Sequence, residues 1–180
     1  MAERAAAPPV SLRIARPGDA ALLALVGRAT FLESYAGTLP VEDIVAHCAN
    51  KHAPEVYDDW LQDGRSVSWL LEASHGAAPV GYLVLSAPDV PVVDPGPDDW
   101  EIKRIYLLSR FQGGGNGRRM MEACAAHAKT LGCARLLLGV YSRNEQALKF
   151  YARMGFTQVG ERMFRVGASE YYDYILGRAP

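Results

Sequence analysis

The chain has 180 residues, of which 49% are hydrophobic and 22% are charged, and its formal net charge is −1. This composition is typical of a globular domain, and the missing basic excess argues against a nucleic-acid-binding protein that neutralises phosphates. No apolar run approaches the ~20 residues of a membrane span, and three cysteines without CxxC spacing favour reduced thiols in a cytoplasmic protein.

The first nine residues are rich in Ala and Pro and predict a disordered tail, which leaves one domain over residues 10–180. Alternating apolar residues predict a strand at its start, Asp19 is placed to cap the following helix, and capping-box spacing from Ser142 to Glu145 predicts the start of the last helix. The predicted elements are a strand at 10–16, helices at 20–33, 41–51 and 54–63, strands at 66–73, 80–86 and 100–108, a helix at 116–131, a strand at 136–140, a helix at 142–154 and strands at 156–164 and 171–176. This order predicts an α/β fold, in which a mixed, mostly antiparallel sheet carries helices on both faces.

A glycine-rich turn, Gln112 to Gly117, joins a predicted strand to a predicted helix. Without side chains, the backbone N–H groups of such a turn come close to a phosphate, and the helix N-terminus adds partial positive charge. The spacing Gln-x-x-Gly-x-Gly differs from both the dinucleotide fingerprint and the Walker A loop. The turn therefore predicts an anion-binding site, with a flexible glycine connection as the alternative.

Two further groups of polar residues flank this turn in the sequence. The preceding strand carries Glu101, Lys103 and Arg104, so one end of it is expected to border a cavity or solvent. Asn144 and Tyr151 lie seven residues apart on a predicted helix and are expected to share a face. The alternative is a core position for Tyr151 and a helix-starting role for Asn144.

Taken together, these motifs resemble those of the GCN5-related N-acetyltransferases over nearly the whole chain. The resemblance is carried by QGGGNG at 112–117, by the preceding EIKRIYLL at 101–108 and by NEQALKFYARMGF at 144–156. The segments at 30–37 and 164–167 are similar to a bacterial subgroup that includes polyamine acetyltransferases.

The resemblance implies acetyl-CoA as the cofactor and assigns roles to particular residues. Tyr151 would protonate the leaving thiolate, and Glu101 would be the general base, directly or through a water, with an ion pair to Lys103 or Arg104 as the equal alternative. A backbone N–H near Leu107 would stabilise the oxyanion. The cofactor-binding residues that the resemblance implies are Ile105, Tyr106, Leu107, Gln112, Gly113, Gly114, Gly115, Asn116, Gly117, Arg118, Asn144 and Tyr151.

Two positions depart from the family pattern. Asn116 stands where the family usually has an aliphatic residue, and Gly114 stands where it often has a basic one. Arg118 and Arg119 are placed to supply the missing positive charge. These departures bear on the affinity for the cofactor rather than on its identity.

The implied activity is transfer of an acetyl group to a primary amine of a small, polyamine-like or amino-acid-like molecule by direct attack. Glu33 and Tyr35, which follow the first predicted helix, are the candidate acceptor-binding residues. A protein or peptide N-acetyltransferase and a non-catalytic acetyl-CoA sensor are the alternatives. No metal site is expected, because no four ligands converge, and the resemblance suggests a homodimer.

Overall fold

The computed structural model describes residues 8–91, 94, 96–166 and 169–180, and these form seven strands and five α-helices. The predicted tail lies outside the described residues except for its last two positions. The elements in chain order are β1 (Val10–Ile14), α1 (Ala20–Tyr35), α2 (Val41–Lys51), α3 (Pro54–Gln62), β2 (Val67–Ala73), β3 (Pro79–Ser86), β4 (Asp99–Leu107), α4 (Asn116–Thr130), β5 (Arg135–Tyr141), α5 (Glu145–Arg153), β6 (Thr157–Val166) and β7 (Ser169–Arg178).

The strands form one sheet in the order β1-β2-β3-β4-β5-β7-β6. β1 and β2 pair antiparallel, as do β5 with β7 and β6 with β7, whereas β4 and β5 pair parallel. The parallel pair follows from the crossover through α4, because parallel neighbours need such a connection. The predicted mixed sheet is therefore confirmed.

By its internal contacts the chain forms two compact units, one from residues 1–84 with 104–121 and the other from 85–103 with 122–180. The core of the first unit joins α1 and α3 to β2 and β3 through fully buried Leu23, Tyr57, Leu70 and Tyr82. The core of the second unit includes Val90, Leu137 and Ile175. A single domain over residues 10–180 stays a prediction.

Two helix starts differ from the capping predictions. Asp19 does precede α1, but its carboxylate accepts hydrogen bonds from Arg13 and from the Arg16 amide instead of capping the helix. Ser142 was wrong as the start of the last helix, because α5 begins at Glu145 and the side chain of Asn144 accepts from the Ala147 amide at 3.0 Å. Asn is as good a cap as Ser, and here it lies closer to the amphipathic segment.

Candidate active site

The glycine turn of the first unit leads directly into α4. Gly113 and Gly115 have φ of +82° and +81°, a region that side chains disfavour. A Cβ added at Gly115 would meet no atom within 4 Å, so this backbone faces open space. Among the described residues, the amides of these two glycines and of Gly114 donate to no backbone carbonyl. Together with the N-terminus of α4, they form a cradle in which an anion fits.

Side-chain amides close this turn on both sides. Gln112 Nε2 donates to the Leu107 carbonyl at 2.9 Å, and Asn116 Nδ2 donates to the Phe111 carbonyl at the same distance. Asn116 is only 9% exposed, so its amide replaces an aliphatic contact with a hydrogen bond that fixes the turn. Its departure from the family pattern thus has a structural role.

Three arginines lie close to the turn in the chain. Arg118 and Arg119 lie exposed in the first turn of α4, and Arg110 lies exposed in a short 3-10 segment, Ser109–Phe111, just before the turn. Arg119 Nη1 donates to the Val10 carbonyl at 3.3 Å, and three arginines this close in the chain to the turn favour a ligand with several negative charges. A pyrophosphate, as in coenzyme A, fits this donor set.

The carboxyl end of β4 approaches a glycine of the neighbouring strand β3. A Cβ on Gly81 would lie 3.0 Å from the Tyr106 carbonyl and from Leu107 Cγ, so a larger residue would require these neighbours to shift. The Leu108 amide then donates to the Val80 carbonyl. Ile105, the third predicted residue of this strand end, is partly exposed like its two neighbours.

The predicted acceptor-binding residues lie in the last turn of α1, not beyond it. Glu33 accepts hydrogen bonds from the amide and the hydroxyl of Ser109, both at 2.8 Å, and so ties α1 to the segment before the glycine turn. Tyr35 is partly buried, and its ring lies 4.5 Å from that of Phe31. Glu33 therefore holds Ser109, which lies just before the glycine turn, while the Tyr35 ring packs against the Phe31 ring.

Sequence reasoning missed a partly buried cation, Arg104, whose partner His52 has its ring centroid 5.5 Å from that of Phe31. Arg104 Nη1 donates to the Tyr57 hydroxyl at 2.6 Å and contacts His52 Nδ1 at 3.1 Å, while Nη2 donates to the Lys51 carbonyl. A guanidinium only donates, so Nδ1 of His52 is an acceptor, for which Tyr57 is a further donor at 2.7 Å. Among the described residues, Arg104 pairs with no carboxylate.

Burial and this cation keep both neighbouring imidazoles neutral. Burial first and Arg104 second lower the pKa of His52 to about 2. The same causes lower the pKa of His47, which stacks on Phe31, to about 4. The cluster of Arg104, Tyr57 and His52 therefore joins β4 to α2 and α3 without changing charge near neutral pH.

Glu101, in the second unit, forms the ion pair that was one of its two predicted roles. It is 3% exposed, and its Oε2 accepts from Lys103 at 2.8 Å and from the amides of Asp89 and Val90. Lys103 also pairs with the Asp89 carboxylate at 2.7 Å. The role of Glu101 as a base stays a prediction.

Pairing between β4 and β5 covers only three residues on each strand, from Asp99 opposite Arg135 to Glu101 opposite Leu137. β5 continues to Tyr141, and over this stretch it still pairs with β7, where Tyr141 faces Asp173. Among the described residues, the pairing of β5 with β4 ends at Leu137, and β5 extends four residues further.

The last two predicted residues differ in exposure. Asn144 is exposed and caps α5, whereas Tyr151 is 8% exposed and packs edge-on against Phe150 and Phe156. Both structural alternatives for these residues are thus present. Their roles towards a cofactor stay predictions.

The remaining features bear on rival chemistries. Burial raises the pKa of Cys124 to about 12, which removes its thiolate character. Among the described residues, no cluster of three His, Cys, Asp or Glu side chains is arranged to hold a metal, and no helix is long and apolar enough to cross a membrane. For residues 164–166 the structure describes the backbone but not the side chains, and Gly167 lies outside the described residues.

Comparisons with known proteins identify the family. The family model for the acetyltransferase (GNAT) family matches residues 31–156. An uncharacterized N-acetyltransferase of Mycobacterium tuberculosis is 32% identical over 160 residues, which cover 89% of this chain and 97% of the relative. The spermine/spermidine N(1)-acetyltransferase of Bacillus subtilis is 34% identical over 64 residues, which cover 35% of this chain and 42% of that protein.

The fold agrees with this match. The crystal structure of the PaiA N-acetyltransferase from Thermoplasma acidophilum, in complex with coenzyme A, superposes with a TM-score of 0.74 at 18% identity, covering 96% of this chain and 99% of the other. The family model spans the glycine turn and α5, and the relative from Mycobacterium tuberculosis is matched over almost its entire length. The chain belongs to the GCN5-related N-acetyltransferase (GNAT) family.

Proposed function

We propose that this acetyltransferase transfers an acetyl group from acetyl-CoA to a primary amine of a small, polyamine-like or amino-acid-like molecule by direct attack. When bound, acetyl-CoA supplies the activated thioester. Family membership makes the chain an enzyme, which disfavours the alternative of a non-catalytic acetyl-CoA sensor.

The observation that carries the proposal is the open turn at the start of α4. The backbone amides from Gly113 to Arg118, with Gln112 at their start, would hold the pyrophosphate, since glycines at positive φ leave space for it. Arg118 and Arg119 would add charge-assisted contacts. The backbone of Ile105, Tyr106 and Leu107 would pair with the pantetheine arm.

The remaining predicted residues would take part in proton transfer or in cofactor binding. The Tyr151 hydroxyl would donate a proton to the leaving sulfur, and Asn144 would contact the cofactor while capping α5. Glu101 would act mainly by fixing Lys103 and the Asp89–Val90 backbone, because three donors already converge on its Oε2. Its role as a base is tested by the pH profile of Glu101→Gln: a kcat deficit at neutral pH that shrinks towards the amine's own pKa of ~10 would support it, whereas an equal deficit at every pH would assign the structural role alone.

A small amine is supported by the partial match to a relative named for spermine and spermidine. Tyr35 would line the acceptor site, and Glu33 would shape it through Ser109. A protein or peptide acceptor is the second candidate, and a panel of polyamines, amino acids and peptides, assayed by thiol release, separates the two. A homodimer stays a prediction, and analytical ultracentrifugation would measure the oligomeric state directly.

The cofactor site is tested by calorimetric titration of acetyl-CoA into the wild type and Gly115→Glu. The anionic side chain would lie in the open space of the cradle and repel the phosphates, so binding should be lost. Gly76→Glu is the matched control, because Gly76 also has positive φ (+75°) and open surroundings. Binding that survives Gly115→Glu, or that Gly76→Glu reduces equally, would contradict the proposed cradle.

A further inference from the structure

The guanidinium of Arg104 is held in a fixed position within the first unit. Nη1 donates to the Tyr57 hydroxyl at 2.6 Å and contacts Nδ1 of His52, and Nη2 donates to the Lys51 carbonyl at 2.6 Å. Its Cζ also lies 4.9 Å from the centroid of the Trp60 ring and 5.2 Å from that of Tyr57. An arginine that packs on aromatic rings and donates at two nitrogens has little rotamer freedom left. This cation is therefore preorganised for a ligand.

One edge of this guanidinium is open. Among the described residues, Nε of Arg104 donates to no atom, and no carboxylate pairs with the group. Nε is not one of the fully buried polar atoms that lack a hydrogen bond, so it reaches the surface. Nε and Nη2 are the atoms with which Arg13 holds the Glu72 carboxylate, at 2.9 and 2.7 Å. Arg135 holds Asp99 with the same two atoms.

The surroundings of this half-buried cation are positive as well. Arg28 Nε donates to the His52 carbonyl at 3.0 Å. Besides burial and Arg104, the charge of Lys51 lowers the pKa of His47, and that of Arg28 lowers the pKa of His52. A potential that opposes protonation of two imidazoles also opposes the second ammonium group of a diamine, and it attracts an anionic group.

Arg104 lies on the strand whose end is proposed to bind the cofactor. Leu107, near which the oxyanion N–H is expected, is three residues further along β4, a span of about 10 Å. On the other side, the His52 ring lies 5.5 Å from that of Phe31, which packs against the ring of Tyr35. All of these residues belong to the first unit. The open edge of Arg104 is therefore linked to both the cofactor strand and the candidate acceptor residue.

We propose that Arg104 binds a carboxylate of the acceptor, so that the enzyme acetylates amino acids in preference to polyamines. This inference rests on the proposed function and narrows it to one of its two acceptor classes. The acceptor carboxylate would supply the counter-charge that the described chain does not, while Tyr57 and Trp60 hold the guanidinium in place. The relative named for spermine and spermidine matches only 35% of this chain, which leaves room for a different acceptor.

The first test compares acceptors on the wild type by thiol release. Amino acids of increasing chain length are assayed beside their carboxamides and beside diamines of equal length. For the best amino acid, kcat/KM should exceed that of its carboxamide by about 10–100-fold, the factor expected for hydrogen bonds between charged groups, and the matching diamine should be poorer still. Equal or higher kcat/KM for the carboxamide or the diamine would overturn the inference and leave the proposed function standing.

The second test assigns this preference to Arg104. Arg104→Gln keeps hydrogen-bond donors but removes the charge, so KM for the best amino acid should rise by the same factor, while kcat/KM for its carboxamide should change little. Arg16→Gln is the matched control, because Arg16 is an exposed arginine of the same unit, and it should alter neither. Calorimetric binding of acetyl-CoA checks that each variant is folded. An equal loss for amino acid and carboxamide would assign Arg104 a structural role alone and overturn the inference.

A third measurement needs no turnover. The ¹⁵N resonance of Arg104 Nε, assigned by its loss in Arg104→Lys, should shift when the best amino acid is added above its KM to the wild type with coenzyme A, and it should not shift with the carboxamide. An unmoved resonance would overturn the inference. If the wild type acetylates no amine of the panel, the proposed function itself is refuted, together with the inference that rests on it.

Discussion

Gly27 of α1 lies against the cluster of Arg104, Tyr57 and His52, and its replacement by alanine offers a sharp test of that packing. A Cβ at Gly27 would overlap the Tyr57 hydroxyl and Nδ1 of His52, the two atoms that share a hydrogen bond. Gly27→Ala should therefore destabilise the protein, although glycine to alanine within a helix normally stabilises it.

The size of the effect follows from three contributions. Helix propensity favours alanine by about 1 kcal/mol. Overpacking a well-filled site costs about 1–3 kcal/mol, and separating the buried Tyr57 and His52 groups costs about 1–3 kcal/mol more. The expected net loss is about 3 kcal/mol, which lowers Tm by about 6–12 °C for a chain of this length.

Urea unfolding followed by circular dichroism gives the free energy of unfolding directly. Ala46→Gly, at an exposed interior position of α2, is the control for propensity alone and should cost about 1 kcal/mol. Tyr57→Phe in the Gly27→Ala background should recover part of the loss, because the overlapping hydroxyl is gone. Stabilisation by Gly27→Ala would refute the described packing.

Three further predictions concern a cap, an ion pair and a thiol. Asn144→Ala should cost about 1 kcal/mol of unfolding free energy without any ligand, whereas Asn144→Ser should keep that stability and weaken acetyl-CoA binding; equal calorimetric affinities would disprove the cofactor contact. The hydrogen bond from Arg135 lowers the pKa of Asp99, so the stability that Asp99 adds is present above about pH 4 and lost as pH falls through its lowered pKa; the Tm difference from Asp99→Asn should shrink on acidification, and a constant difference would contradict the pairing. Cys124 should resist iodoacetamide at pH 8 until the protein unfolds, and rapid labelling in the native protein, detected by mass spectrometry, would disprove its burial.

The sequence predicted most elements because hydrophobic periodicity and breaking residues are local signals. The missed 3-10 segment, Ser109–Phe111, is too short to show a period. The start of α5 was misplaced because Ser142 and Asn144 are both good capping residues two positions apart. Which of the two residues caps α5 depends on the path of the backbone after β5, and the local sequence does not indicate that path.

The glycine turn was predictable because the glycines that allow a positive φ and the backbone amides expected to bind an anion belong to the same few consecutive residues. Arg104 was not, because its partners Tyr57 and His52 lie 47 and 52 residues away in the chain. The same holds for Gly139, whose missing side chain matters only through Arg162 of another strand. Contacts of this kind come from the sheet order, which the sequence motifs do not specify.

The pairing of β1 also bears on how the chain acquires its structure during synthesis. Val10 pairs with Ala73 and Ile14 with Trp69, so three helices must be made before this strand has a partner. β6 and β7, in contrast, pair from Val166 and Ser169 outwards, two residues that are only three positions apart in the chain. Loop-closure entropy favours such local pairing, and we expect β1, although it leaves the ribosome before β2, to dock only after β2 has emerged.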